Sequence, residues 1–192
     1  MKKKDKGFRK ELIMPIFIVM IMVMSVFGYM WSSSRTKIDY NGYKFYQLDD
    51  GRFMLSLEDK RIAFNYYPSE LEWINTSKGI GNVFNSQAIF ITSDYNSTMS
   101  ETLAEIKFNL AQQIEEFKGA YAQNSFTEPT EYGHPVITCM NATSSVPVVL
   151  IERSDATEIV LENNCLTLRA KNRQEMIRAY ERLVYSILGV ME

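Results

Sequence analysis

Histidine and cysteine are nearly absent from this chain of 192 residues, which has one His (His134) and two Cys. A hydrolytic triad needs a histidine base, and no Gly-x-Ser-x-Gly motif is present. Metal sites built from His and Cys need more ligands than this chain offers. Gly79-x-Gly81 lacks the strand-turn-helix frame of phosphate-binding loops. We therefore predict no catalytic, cofactor-binding or metal-binding residues, while an enzyme site assembled from dispersed carboxylate, Ser and Lys groups stays open.

An excess of positive charge is also missing, because 21 Lys and Arg face 23 Asp and Glu. Six of the basic and two of the acidic residues lie within the first 31 positions. The remaining 161 residues, enough for one domain with a sizeable core, carry a net charge of about −6. A domain this acidic is unsuited to phosphate backbones. Nucleic acid is excluded as a partner, and no small-molecule ligand is identifiable.

What the chain does have is a run of 20 residues without charge, from Leu12 to Trp31. At about 1.5 Å per helical residue, this run matches the roughly 30 Å of a bilayer's hydrocarbon core. Before it stand six basic residues, and only Arg35 and Lys37 follow closely. This bias predicts a single span with a cytoplasmic N-terminus and an exported C-terminal domain. The predicted segments are a basic segment (1–11), a transmembrane helix (12–31), a tether (32–41) and a domain (42–192).

Two other interpretations of the N-terminus remain open. A cleavable signal peptide has an apolar region of about 7 to 15 residues and a small-residue cleavage site. The apolar run here is longer, and the only small-residue stretch after it is Ser32 to Ser34. A pilin leader would be cut after Gly7, but Arg9 and Lys10 replace the apolar residues expected there. An uncleaved signal-anchor agrees best with the pattern.

The exported part holds both cysteines, Cys139 and Cys165. Outside the cytoplasm an even cysteine count favours a disulfide. We therefore predict that these two residues are bonded and that their strands are neighbours. The same part has three Asn-x-Ser/Thr sequons, which are N-glycosylation sites if the host modifies its surface proteins. They begin at Asn75, Asn96 and Asn141.

Hydrophobic periodicity predicts an α+β domain with an antiparallel sheet of about eight strands covered by two helices. The strands are expected at 43–48, 52–57, 61–67, 88–92, 136–140, 148–152, 158–161 and 165–170, the first three as a meander. Thr98 and Glu101 form a capping box for a helix that ends before Gly119. Asn172 is the predicted cap of a second helix that ends before Gly189.

The stretch YNGYKFYQLDDGRFMLSLEDKRIAFNYYPSELEWI, together with Cys139, Cys165 and LVYSILGV, resembles a set of short archaeal envelope proteins that have one N-terminal anchor. The resemblance implies an anchored extracytoplasmic domain on an archaeal surface, without an activity to carry over. We expect a single-pass cell-membrane protein whose residues 12–31 contact the lipid bilayer and whose domain binds or scaffolds another envelope protein. The alternatives are an extracytoplasmic enzyme and a pilin-like surface subunit.

Overall fold

The computed structural model describes residues 8–32, 37–57, 60–131 and 133–191. The chain divides into two compact units, one ending at Lys37 and the other beginning at Ile38. The expected basic segment (1–11) and tether (32–41) fall partly outside the described residues. Within the second of these, β1 occupies Lys37–Tyr40, so part of the expected tether is a strand.

The first unit contains helix α1, Phe8–Ser32, over the uncharged run. Its described side chains, those of residues 13–27, are all exposed. No helix in the described part of the chain is long and apolar enough to cross a membrane. The predicted span over residues 12–31 stays a prediction.

The second unit begins with a four-stranded sheet in the order β1-β2-β3-β4. Strands β2 (Tyr43–Gln47), β3 (Phe53–Leu57) and β4 (Lys60–Phe64) form the antiparallel meander that the alternating pattern predicted. The sequence analysis missed β1, which is joined to β2 by a two-residue turn. Asn41 and Gly42 in that turn both have positive φ, a conformation that Asn and Gly adopt most readily.

The remaining strands form a second, mixed sheet of six strands in the order β5-β9-β10-β8-β6-β7. Its described pairs are parallel, except for the antiparallel pair β9–β10. The prediction of one antiparallel sheet was therefore wrong. The physical reason is the helical crossover between β6 and β7, because a helix connecting neighbouring strands returns the chain in the same direction. The strand bounds are Asn75–Thr76 (β5), Ala88–Ser93 (β6), Tyr121–Phe126 (β7), Val148–Arg153 (β8), Glu158–Glu162 (β9) and Cys165–Ala170 (β10).

The strand predicted at 136–140 is absent among these elements. The segment makes one bridge, from Val136 to Phe126, and then forms a short 3-10 helix at Cys139–Asn141. Thr138 caps this turn, because its hydroxyl accepts a hydrogen bond from the Met140 amide. A local side-chain hydrogen bond thus stabilises a turn here, in place of the strand pairing that the apolar alternation had predicted.

Two helices pack against these sheets, α2 at Ser100–Lys118 and α3 at Arg173–Ile187. Asn172 caps α3 as predicted, accepting a hydrogen bond from the Glu175 amide at 3.0 Å. The predicted capping box of α2 was wrong, since the N-cap residue is Met99 and its side chain makes no capping bond. The Thr98 hydroxyl instead accepts a hydrogen bond from the Arg153 guanidinium.

Helix α3 is the centre of the core. Its Tyr185 ring stacks on Phe64 of β4, with centroids 4.1 Å apart, and makes an edge contact with Phe45 of β2. On the six-stranded sheet, α3 contacts β10, and α2 contacts β6 and β7. Leu166 and Leu168 of β10 are fully buried, and each such side chain contributes roughly 1.5–3 kcal/mol. The helices therefore fix the places of both sheets in one domain.

Candidate functional site

An open groove of about 750 Å³ lies between β4 and α2. We call it the β4–α2 groove. Its lining comes from β4 and the residue that follows it (Arg61, Ile62, Ala63 and Asn65), from α2 (Asn109, Gln112, Gln113, Glu115, Glu116 and Phe117) and from α3 (Tyr180 and Glu181). Amide and carboxylate side chains predominate, so the groove suits a ligand that makes many hydrogen bonds.

The β4 wall of the groove is the edge of the four-stranded sheet. The Leu48 amide bonds to the Arg52 carbonyl at 2.8 Å, so the backbone of Arg52 faces β2. Successive residues of an antiparallel strand alternate in the neighbour to which their backbone bonds, so the backbone groups of Phe53, Leu55 and Leu57 face β4. The residues of β4 that pair with these three, beginning with Phe64, therefore point their own backbone groups towards β3. The backbone N–H and C=O groups of residues 61 and 63 must therefore face the groove.

One end of the groove is closed by a buried carboxylate. Glu181 of α3 is only 3% exposed, and its two oxygens accept hydrogen bonds from the backbone amides of Asn65 and Tyr66 at 2.9 Å. The Asn65 side-chain amide adds a third bond at 2.6 Å. Burial raises the pKa of the Glu181 carboxyl, and these hydrogen bonds oppose the rise. At Asn65 the carboxylate therefore supplies the hydrogen-bond acceptor that a neighbouring strand would otherwise provide.

The other end of the groove is bridged by Lys60 of β4. Its ammonium group donates a hydrogen bond to the Glu116 carbonyl near the C-terminus of α2. The same group lies 4.7 Å from the centre of the Phe117 ring and 3.9 Å from the Glu116 carboxylate. These contacts join the start of β4 to the last turn of α2, and we take them as the second end of the groove.

The α2 wall presents side-chain amides to the groove. Gln112 is exposed and Gln113 is half-buried. The Oε1 atom of Gln113 is buried and has no hydrogen-bond partner among the described residues. An unsatisfied buried acceptor costs free energy that an incoming donor can recover.

A second chemically unusual group is Lys107, which lies in α2 and is 3% exposed. Its ammonium group donates to the Ser125 carbonyl at 2.7 Å and lies 3.8 Å from the centre of the Phe126 ring. Burial lowers the pKa of this amine from 10.5 to about 8. The same Phe126 ring makes edge contacts with Tyr95 and His134. A buried amine of this kind is a potential nucleophile, although here its surroundings hold it in the core.

The structure places the cysteines at disulfide distance, with Cα atoms 5.3 Å apart. Cys165 begins β10, whereas Cys139 lies in the 3-10 helix instead of the neighbouring strand we had expected. The bond therefore ties the loop after β7 to the middle of the six-stranded sheet.

The three sequon asparagines are exposed and lie on different elements. Asn75 is in β5, Asn96 is in the turn before α2, and Asn141 is in the 3-10 helix. The Asn141 side-chain oxygen already accepts a hydrogen bond from the Thr138 amide at 2.8 Å. Glycan attachment at these positions stays a prediction.

The groove residues were missed in the sequence because they come from three separated segments. Glu181 adjoins the apolar stripe of α3, which is a weak signal. Lys107 gave a stronger one, since it follows Leu103 by four positions and precedes Leu110 by three, the spacing of a core position.

Among the described residues, no group of three or more His, Cys, Asp and Glu side chains is arranged to hold a metal ion. No family model, curated protein or solved structure matches the chain.

Proposed function

We propose that this chain is a membrane-anchored extracytoplasmic binding module whose ligand occupies the β4–α2 groove. The observation that carries the proposal is the groove itself, a polar cleft of about 750 Å³ beside an open strand edge. Its two ends, at Lys60 and Glu181, are held by contacts within the domain. A groove that is formed before the ligand arrives binds without a large ordering cost.

The place of this module follows from the N-terminal sequence. Residues 12–31 are uncharged and match the thickness of a bilayer, and six basic residues precede them against two that follow closely. The cysteine pair at disulfide distance agrees with an oxidising compartment. We assign residues 12–31 to the membrane and the domain to its outer side.

The chemistry of the groove favours binding over catalysis. Both oxygens of Glu181 are occupied by backbone amides, so this carboxylate is poorly placed to accept a proton from a substrate. Lys60 is engaged with the C-terminal end of α2. The remaining wall is made largely of amides, which position a ligand through hydrogen bonds but do not act as acids or bases near neutral pH.

The binding function is tested by photo-crosslinking in the native membrane. A benzophenone amino acid replaces Gln112 on the α2 wall of the groove, and in a matched control it replaces Asp155, which is exposed and outside the groove. We expect an adduct with an envelope component at position 112 and none at position 155. Equal yields at the two positions, or no adduct at position 112, would contradict the proposal.

The topology is tested separately, with protease added to intact cells. We expect the segment after Trp31 to be digested, because the charge bias directs it outward. If the tail is protected although the outer layer is permeable, the assignment of the domain to the outside is wrong.

An extracytoplasmic enzyme is the second candidate, and the observation in its favour is the buried amine of Lys107, with a pKa of about 8. An amine that is largely neutral just above this pH can attack a carbonyl. Turnover of a carbonyl substrate that is lost in Lys107→Met, with the fold retained, would favour the enzyme over the binding module. We expect no such turnover.

A further inference from the structure

We infer that the ligand of the β4–α2 groove is an extended peptide segment of a partner protein, which adds to the free edge of β4 as a fifth strand. The inference rests on the proposed binding function and names the class of ligand. Its basis is the combination of an open strand edge with a wall of side-chain amides on α2. Peptides recognised by strand addition gain affinity from main-chain hydrogen bonds and specificity from the facing wall.

The backbone of β4 offers the ladder that such a peptide needs. The N–H and C=O groups of Arg61 and Ala63 face the groove, as the register with β3 requires. Among the described residues, these groups make no hydrogen bond. The next outward amide along the strand, that of Asn65, is already bonded to Glu181. The free ladder therefore extends from residue 61 to residue 63 and stops at the Glu181 carboxylate.

The other sheet edges are less suited to this role. On β1, the Asp39 carbonyl already accepts a hydrogen bond from the Tyr67 hydroxyl at 3.0 Å. On β7, the Phe126 amide is bonded to the Pro135 carbonyl, so the loop that follows the strand covers one end of that edge. The remaining edge strand, β5, is only two residues long, Asn75–Thr76. In the part of the chain that the structure describes, we therefore take β4, with its outward backbone groups and facing helix wall, as the edge best suited to a peptide.

Charge complementarity indicates which peptides fit. Among the described lining residues, the carboxylates Glu115 and Glu116 accompany the cation Arg61, while Lys60 lies at the end of the groove beside Glu116. The domain as a whole is acidic, at about −6 after position 31. The fitting segment therefore alternates β-forming residues with polar or basic ones, so that its Lys or Arg side chains reach the α2 wall.

The test uses a phage-displayed library of random decapeptides, selected on the full-length protein in detergent micelles. We expect enrichment of extended peptides that contain Lys or Arg. Ala63→Pro removes the outward amide but keeps the pairing with β3, because proline is tolerated at edge positions whose N–H faces away from the sheet. This variant should weaken binding about five-fold or more, the factor that corresponds to one net hydrogen bond.

Two matched controls separate the edge from general effects on folding. Ala63→Val keeps the amide and should weaken binding less than Ala63→Pro does. Asn124→Pro makes the equivalent change on the β7 edge, where the Tyr121 and Thr127 amides bond towards β6 and the Asn124 amide therefore points outward. Asn124→Pro should leave binding unchanged. N-methylation of the selected peptide provides a test that leaves the protein intact. A methyl group on a backbone nitrogen that faces β4 should block binding, whereas one on the next nitrogen, which faces away, should not. The effect should therefore alternate with a period of two residues.

Several results would overturn the inference. These are a library without enriched peptides, selected peptides that are acidic, equal binding by Ala63→Pro, or N-methylation effects without a period of two. A neutral oligosaccharide bound in the groove, or a homodimer abolished by Ala63→Pro, would assign the groove to another occupant. Crosslinking at position 112 with unchanged binding in Ala63→Pro would leave the binding module in place and reject only strand addition.

Discussion

Replacing Lys107 with methionine should remove a rise in stability that the folded protein gains between pH 7 and pH 9. The amine is 3% exposed, and burial lowers its pKa from 10.5 to about 8. A change of this size corresponds to about 3 kcal/mol against the charged form in the folded state. The penalty exists because the folded chain must hold an ammonium group in the core, whereas the unfolded chain holds it in water.

The sign of the pH dependence follows from proton linkage. Between pH 8 and pH 10.5 the unfolded chain binds the proton that the folded chain has released, so stability rises with pH in this window. With these two pKa values, raising the pH from 7 to 9 should increase the free energy of unfolding by about 1.3 kcal/mol. The buried tyrosines Tyr180 and Tyr185, whose pKa values are raised by burial, oppose the trend only near pH 10 and above.

The measurement is urea unfolding followed by circular dichroism at pH 7, 8 and 9. Absolute stability is a poor readout for Lys107→Met, because the change removes the penalty but also removes the hydrogen bond to the Ser125 carbonyl, at a cost of about 1–3 kcal/mol. The slope with pH is the informative quantity. Lys118→Met, an exposed lysine of the same helix, should keep the wild-type slope. An equal slope in Lys107→Met would refute the reasoning.

Two further predictions concern the contacts that close loops in the domain. Reducing the Cys139–Cys165 bond, with a sequence separation of 26, should cost roughly 3–4 kcal/mol and lower the melting temperature by on the order of 10 °C, as measured by calorimetry with and without reductant. An unchanged melting temperature would show that the bond does not constrain the chain. Glu181→Ala should cost about 2–4 kcal/mol in urea unfolding, because it leaves the amides of Asn65 and Tyr66 without acceptors. Glu181→Gln keeps one acceptor oxygen and should cost less, so equal losses would argue against the hydrogen bonds as the cause.

Local patterns predicted those elements whose stability is local. The meander β2–β4 was predicted because each strand alternates along one half-buried face and the turns are short. The cap of α3 at Asn172 was predicted because side chain and amide are three residues apart. Strand β7 was missed, since its buried positions are the small residues Ala122 and Ser125, which carry little hydrophobic signal.

The sequence by itself determined the uncharged run at 12–31, the acidic balance of the domain and the α+β class, because composition and periodicity are properties of neighbouring residues. Tertiary structure alone decided the mixed second sheet, the open edge of β4 and the burial of Glu181 and Lys107. These features depend on pairing between segments distant in the chain, such as Asn65 with Glu181, 116 residues away. The groove exists only because three such segments meet, so its residues form a site in space and not in the sequence.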